Sequence, residues 1–114
     1  MALASSIEIY NSVYKLAEFI FPLTRKFPKD VKPTLARRME DCLLDMADRA
    51  MESYLIKDSD KKLQLTFSIR LLYEKLQFLV NLCVKEKYLS IGQQAEISLR
   101  MVKISNMLEK ESSK

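Results

Sequence analysis

Residues 21–38, FPLTRKFPKDVKPTLARR, hold all three prolines of the chain and six basic residues: Arg25, Lys26, Lys29, Lys32, Arg37 and Arg38. Proline has no amide proton to donate and pushes the residue before it away from helical geometry. Three of them in twelve positions therefore mark a connection. On both sides of it the apolar residues recur at helical spacing, so the stretch reads as a basic corner between two long amphipathic helices.

Upstream, Ile9, Val13, Leu16, Ile20 and Leu23 form one stripe at about 100° per residue, and Tyr10, Tyr14, Ala17 and Phe21 form a second beside it. Together they cover roughly half of the helix circumference, more than the ~100° arc of an ordinary surface helix. Ser5 or Ser6 is expected to cap this helix, with Glu8 favouring its dipole. Pro22 removes the bond to the Glu18 carbonyl and is expected to loosen the last turn before an end near Lys26.

Downstream, a second helix starts near Pro33 and runs to about Leu55. Leu35, Met39, Cys42, Met46 and Ala50 share one side, with Leu43, Ala47 and Tyr54 adjacent; Arg37, Asp41, Asp45, Asp48, Arg49 and Glu52 take the other. Glu40 falls inside the apolar arc, where a carboxylate needs a basic partner or must reach out to solvent. Residues 57–62 (KDSDKK) form a short polar connection, and Asp58 or Ser59 can cap a third helix reaching about Glu86. Its residues Leu65, Ile69, Leu72, Leu76, Leu79 and Cys83 follow a bundle-seam spacing. Phe67, Leu71, Phe78 and Leu82 form another stripe well round the helix, as expected of a helix that touches more than one neighbour. Ser90 with Gln93 resembles a capping box opening a fourth helix. Ile97, Met101, Ile104 and Leu108 make its seam, Ala95, Leu99 and Val102 a weaker one, and the tail Lys110–Lys114 is expected to fray.

One glycine and three prolines are too few for the tight turns of a β protein. The chain of 114 residues reads as a single all-α domain, 1–114, in the form of an antiparallel up-down-up-down four-helix bundle. Three helices with the fourth docked elsewhere is the structural alternative. No apolar run approaches the roughly 20 residues that span a bilayer. The N-terminal MALASSIEIYNS lacks the basic-then-apolar order of a signal peptide, so a cytoplasmic protein is expected, with Cys42 and Cys83 as buried reduced thiols.

The chain has no histidine, which removes the commonest general base and most zinc constellations. Gly92 alone cannot build a phosphate-cradling loop, no serine has a nucleophile-elbow context, and Cys42 and Cys83 lack a base. Asp41, Asp45, Asp48 and Glu52 spread along a solvated face instead of converging on a metal. An enzyme, a metal site and a cofactor are not expected. What remains is surface charge. In the up-down bundle the first and third connections meet at one end, gathering Arg25, Lys26, Lys29, Lys32, Arg37, Arg38, Lys85 and Lys87 against Asp30 and Glu86. That is a net +6, where the whole chain carries +4. A segregated basic patch is the footprint of phosphate binding, and Phe27 and Tyr88 are placed either to stack on bases or, for Phe27, to plug the bundle end.

The run KLAEFIFPLTRKFPKDVKPTLARRMEDCLLDMADRAMESYL (residues 15–55) resembles the accessory variability determinant (Avd) proteins of diversity-generating retroelements. These belong to a four-helix-bundle group that includes proteins encoded in intervening sequences of large-subunit ribosomal RNA genes. The likeness lies in P-L-x-R-K-F-P-K-D, then T-L-x-R-R-x-x-D-x-L-L, with L-Y-E-K-L-Q-F-L and K-Y-L-S later, from about Tyr14 to Leu108. The intervening-sequence branch carries an S-I-P-S-N-I-A-E-G-like segment where this chain reads LDMADRAMES, which favours the Avd branch. The resemblance implies a homopentamer with a basic surface that binds nucleic acid and the element's reverse transcriptase. It assigns the basic corner to Arg25, Lys26, Lys29, Arg37 and Arg38; Lys32 and Lys87 join on electrostatic grounds. It also implies that oligomerisation covers the extra apolar stripes. A structural protein–protein adaptor without a reverse transcriptase partner is the alternative.

Overall fold

The computed structural model describes residues 2–112, with side chains described from Ser6 onward. Its regular elements are helices: α1 (Ala2–Thr24), α2 (Arg37–Leu55), α3 (Ser59–Lys85) and α4 (Ile91–Ser112). A short π-helical stretch, Lys32–Ala36, leads directly into α2. The molecule measures 43 × 24 × 19 Å. A helix of α3's length spans about 40 Å at 1.5 Å per residue, so the long dimension is one helix length. None of the described helices is long and apolar enough to cross a membrane.

Each helix packs against two neighbours, in the cycle α1–α2–α3–α4–α1. Polar contacts mark the levels at which they meet. The Ser6 and Ser53 hydroxyls lie 3.1 Å apart, and the Lys62 ammonium donates to the Ser53 carbonyl. Toward the other end, Thr24 Oγ1 donates to Glu40 Oε2 at 2.7 Å, and Cys83 Sγ lies 3.7 Å from Met39 Sδ. Gln94 donates to Asn81 at 2.9 Å, Arg70 to Ser105 at 3.2 Å, and the Arg100 guanidinium sits 4.1 Å from the centre of the Phe19 ring.

Between the helices runs one apolar core. It buries Ile9, Val13, Leu16 and Ile20 of α1; Met39, Leu43, Met46 and Ala50 of α2; and Ile97, Met101, Ile104 and Leu108 of α4, which are the expected seams. Burying a side chain of this size stabilises the fold by about 1.5–3 kcal/mol. Both cysteines are buried and free. Burial pushes the Cys83 thiol up to about 11, and pushes Cys42 up as well, with Lys75 and Arg38 opposing and Asp45 and Asp41 adding to the rise.

The helix ends follow from local chemistry. Asp58 Oδ1 accepts from the backbone amides of Asp60 at 2.9 Å and Lys61 at 3.3 Å, an N-cap worth about 1 kcal/mol. Ser90 and Gln93 complete a reciprocal capping box: Gln93 N donates to Ser90 Oγ at 3.0 Å and Ser90 N donates to Gln93 Oε1 at 2.9 Å.

Several expectations are corrected. Helix α1 already includes Ala2, so Ser6 is no cap; it is buried inside the helix, facing Ser53, while the Ser5 side chain lies outside the described residues. The helix ends at Thr24, slightly short of Lys26. Glu40 finds a hydroxyl, not a basic side chain, because the fully buried Thr24 arrives there from α1. Helix α3 buries Ile69, Leu76, Leu79 and Cys83 of its expected seam, joined by Thr66, Tyr73 and Val80, while Leu65 and Leu72 are only half-buried at its edge. Tyr73 and Val80 lie beside the expected seam on the helix circumference, and packing of α3 against α2 and α4 buries them. Residues Lys110, Glu111 and Ser112 continue α4, with Ser112 Oγ donating to the Leu108 carbonyl; Ser113 and Lys114 lie outside the described residues.

Candidate nucleic-acid interface

The basic corner is anchored, not a free loop. Phe27 and Val31 turn inward and are buried, at 4% and 7% exposure. Phe27 N donates to the Thr24 carbonyl and Val31 N to the Pro28 carbonyl at 2.9 Å. Thr34 Oγ1 donates to the Val31 carbonyl, where Pro33 can offer no donor of its own. The two buried side chains are four residues apart, and the polar residues between and around them are turned out. Arg25, Lys26, Lys29, Lys32, Arg37 and Arg38 are all exposed.

The connection after α3 meets this corner through aromatic packing. Phe27 and Tyr88 stand 5.8 Å apart at their ring centroids, tilted by 35°. Of the two expected roles for Phe27, the structure shows the plug: its ring is taken up by the end of the bundle and by Tyr88, itself half-buried. That contact brings Lys85 and Lys87, both exposed, to the end that carries the proline corner.

Lys87 itself has an unusual backbone. Tyr88 N donates to the Cys83 carbonyl at 2.8 Å and Lys87 N to the Val84 carbonyl at 3.1 Å, which closes α3 in a Schellman motif. The residue at the turn of that motif takes a left-handed conformation, and Lys87 does so at φ 68°. Glycine is the usual residue there because a Cβ costs about 1 kcal/mol in that region. A lysine held against that preference keeps a charge where glycine would be more stable.

Of the basic residues at this end, Arg37 pairs with Asp41 at 4.0 Å, with both side chains well exposed. Such a pair contributes little and yields readily to a competing anion. Among the described residues, Arg25, Lys26, Lys29, Lys32, Arg38, Lys85 and Lys87 form no ion pair with a carboxylate. Their charges are therefore presented to solvent.

Reading the sequence missed two surfaces. Lys15, Arg100 and Lys103 line a cleft between α1 and α4 together with Ser12, Glu18, Phe19 and Leu99. Arg100 and Lys103, three apart on the outer face of α4, were the available signal. On the other side of α1, Tyr14, Leu44 and Met51 are exposed along a groove shared with α2. Leu44, Ala47 and Met51 follow a three-then-four spacing, which was the signal for this second surface. The proposed interface residues Phe67, Leu71 and Phe78 are exposed at 64%, 50% and 66%, and Leu82 is half-buried. Compared with known proteins, the chain matches no protein-family model and has no significant match among curated proteins.

Proposed function

We propose that the protein is a non-catalytic accessory protein that binds nucleic acid through its basic end and works as a homo-oligomer. The bundle is read as antiparallel, up-down-up-down. Ser6 with Ser53 and Thr24 with Glu40 pair the start of α1 with the end of α2 and the reverse; Lys62 with Ser53 and Cys83 with Met39 do the same for α2 and α3. The observation that carries the binding function is the contact of Phe27 with Tyr88. It joins two basic connections into one exposed surface whose lysines and arginines, Arg37 aside, have no carboxylate partner. Binding would be electrostatic, with phosphates displacing counterions and little reading of bases. The reverse transcriptase partner and the pentameric state rest on the resemblance to the Avd proteins alone.

A second reading, a protein–protein adaptor, is favoured by Phe67 and Phe78, which are large and open to solvent. Titrating a labelled single-stranded RNA at several salt concentrations tests the first. With six to ten phosphate contacts at a slope of about 0.7 each on a single strand, affinity falls roughly 10²–10⁴-fold between about 50 and 200 mM salt. An affinity independent of salt would rule this mechanism out. Lys87→Gly separates function from folding. It is expected to stabilise the protein by about 1 kcal/mol in urea melts, by relieving the left-handed strain. It should also reduce the salt slope by about one, as expected for one lost phosphate contact.

A further inference from the structure

Phe19 and Arg100 meet across the cleft between α1 and α4, with the guanidinium 4.1 Å from the ring centre. Ser12 and Met107 meet there too, Ser12 Oγ donating to Met107 Sδ at 3.7 Å. From the first contact to the second, seven residues are passed backward on α1 and seven forward on α4. In the antiparallel reading of these two helices, Lys15 therefore stands within about one residue of the level of Lys103. Both lysines are exposed, and they line the cleft from opposite walls. Among the described residues neither forms an ion pair with a carboxylate.

The two acids near the cleft do not cancel this charge. Glu96 is engaged by Arg100, whose Nη1 donates at 3.0 Å both to Glu96 Oε1 and to the Glu96 carbonyl. Glu18 lines the cleft but also the groove between α1 and α2. At about 100° per residue it falls on the far side of Lys15 from Phe19, on the crest of α1. Arg100, by contrast, is fixed as a plane. A ring below one face and a carboxylate at its edge hold the guanidinium, and 35% of the side chain remains open. The cleft measures about 670 Å³, a size ordinary for a ligand site.

We propose that this cleft is a second nucleic-acid contact that takes a strand of unpaired bases, with a base on the Arg100 plane and flanking phosphates on Lys15 and Lys103. Bases stack on arginine planes as they do on aromatic rings. Phe27 is buried in the bundle end against Tyr88, so the basic end supplies charge and the cleft supplies the stacking surface. One strand can reach both, because Phe19 lies only about 8 Å along α1 from the helix end at Thr24, next to the basic corner. A duplex keeps its bases paired inside and has none to lay on Arg100.

This second site rests on the nucleic-acid reading of the protein and adds a strand preference to it. The test is fluorescence anisotropy with a labelled single-stranded RNA of about 15 nucleotides, and a duplex of the same length, against two full-length variants. Lys15→Gln with Lys103→Gln is expected to lower the single-strand salt slope by about 1.4, two contacts at about 0.7 each. Affinity at low salt then falls on the order of 10–100-fold. Arg100→Lys keeps the charge and loses the plane. It is expected to weaken single-strand binding about tenfold at unchanged salt slope, and to leave duplex binding as it was. Helical circular dichroism is expected to match the wild type in both variants. A wild type that binds no RNA would overturn the nucleic-acid reading and this site together. A wild type that binds, with the lysine variant keeping its full slope or Arg100→Lys weakening the duplex as much as the single strand, would overturn the cleft site alone.

Discussion

Replacing Arg25, Lys26, Lys29, Arg37 and Arg38 together by glutamine is expected to remove most nucleic-acid affinity while leaving the fold intact. All five side chains are exposed, and the one ion pair lost, Arg37 with Asp41, is open to solvent. Exposed substitutions of this kind shift stability by less than about 0.5 kcal/mol each. On duplex DNA, each phosphate contact contributes about 0.9 to the slope of log affinity against log salt. If all seven proposed residues, these five with Lys32 and Lys87, make one contact each, the slope drops from about −6 to about −2. At low salt the affinity falls on the order of 10³–10⁴-fold, because the counterions those contacts would have released stay bound. Fluorescence anisotropy across a salt series measures both quantities. A variant that binds RNA as the parent does but no longer captures a protein partner would transfer the corner to the adaptor reading.

The largest expected effect on stability is at Leu76. Its side chain is fully buried on the inward line of α3. Leu76→Ala deletes apolar contact and leaves a cavity that the surrounding helices close only in part, which costs about 2–5 kcal/mol. For a domain whose total stability is about 5–15 kcal/mol, that is a large share. Each kcal/mol lowers the melting temperature of a domain near this size by about 4–8 °C. Phe78→Ala, two positions further along the same helix, is expected to change the stability of the isolated chain little, since that ring is 66% exposed. Measuring the leucine change in the Phe67→Glu, Phe78→Glu background by urea denaturation removes any contribution from association. A small loss at Leu76 with a large one at Phe78 would place the seam of α3 on the opposite face.

The sequence by itself determined the helical class, the connections and the caps of α3 and α4, because these depend on interactions a few residues long. Proline's missing donor, the Asp58 cap and the Ser90–Gln93 box act within one turn, and all are where the local chemistry requires. The apolar seams of α1, α2 and α4, and Ile69, Leu76, Leu79 and Cys83 of that on α3, were legible for the same reason. Of the candidate site, the identity and exposure of its lysines and arginines were legible, since a run of charge around prolines has nowhere to go but solvent. Tertiary structure decided the rest. On α3 the neighbours bury Thr66, Tyr73 and Val80 beside the expected residues and leave Leu65 and Leu72 half-buried. Glu40 meets Thr24, and Phe27 packs against Tyr88, through contacts spanning 16 and 61 positions. Such pairs leave no periodic trace along the chain. They exist only once the helices have packed, and the packing energy belongs to all four together.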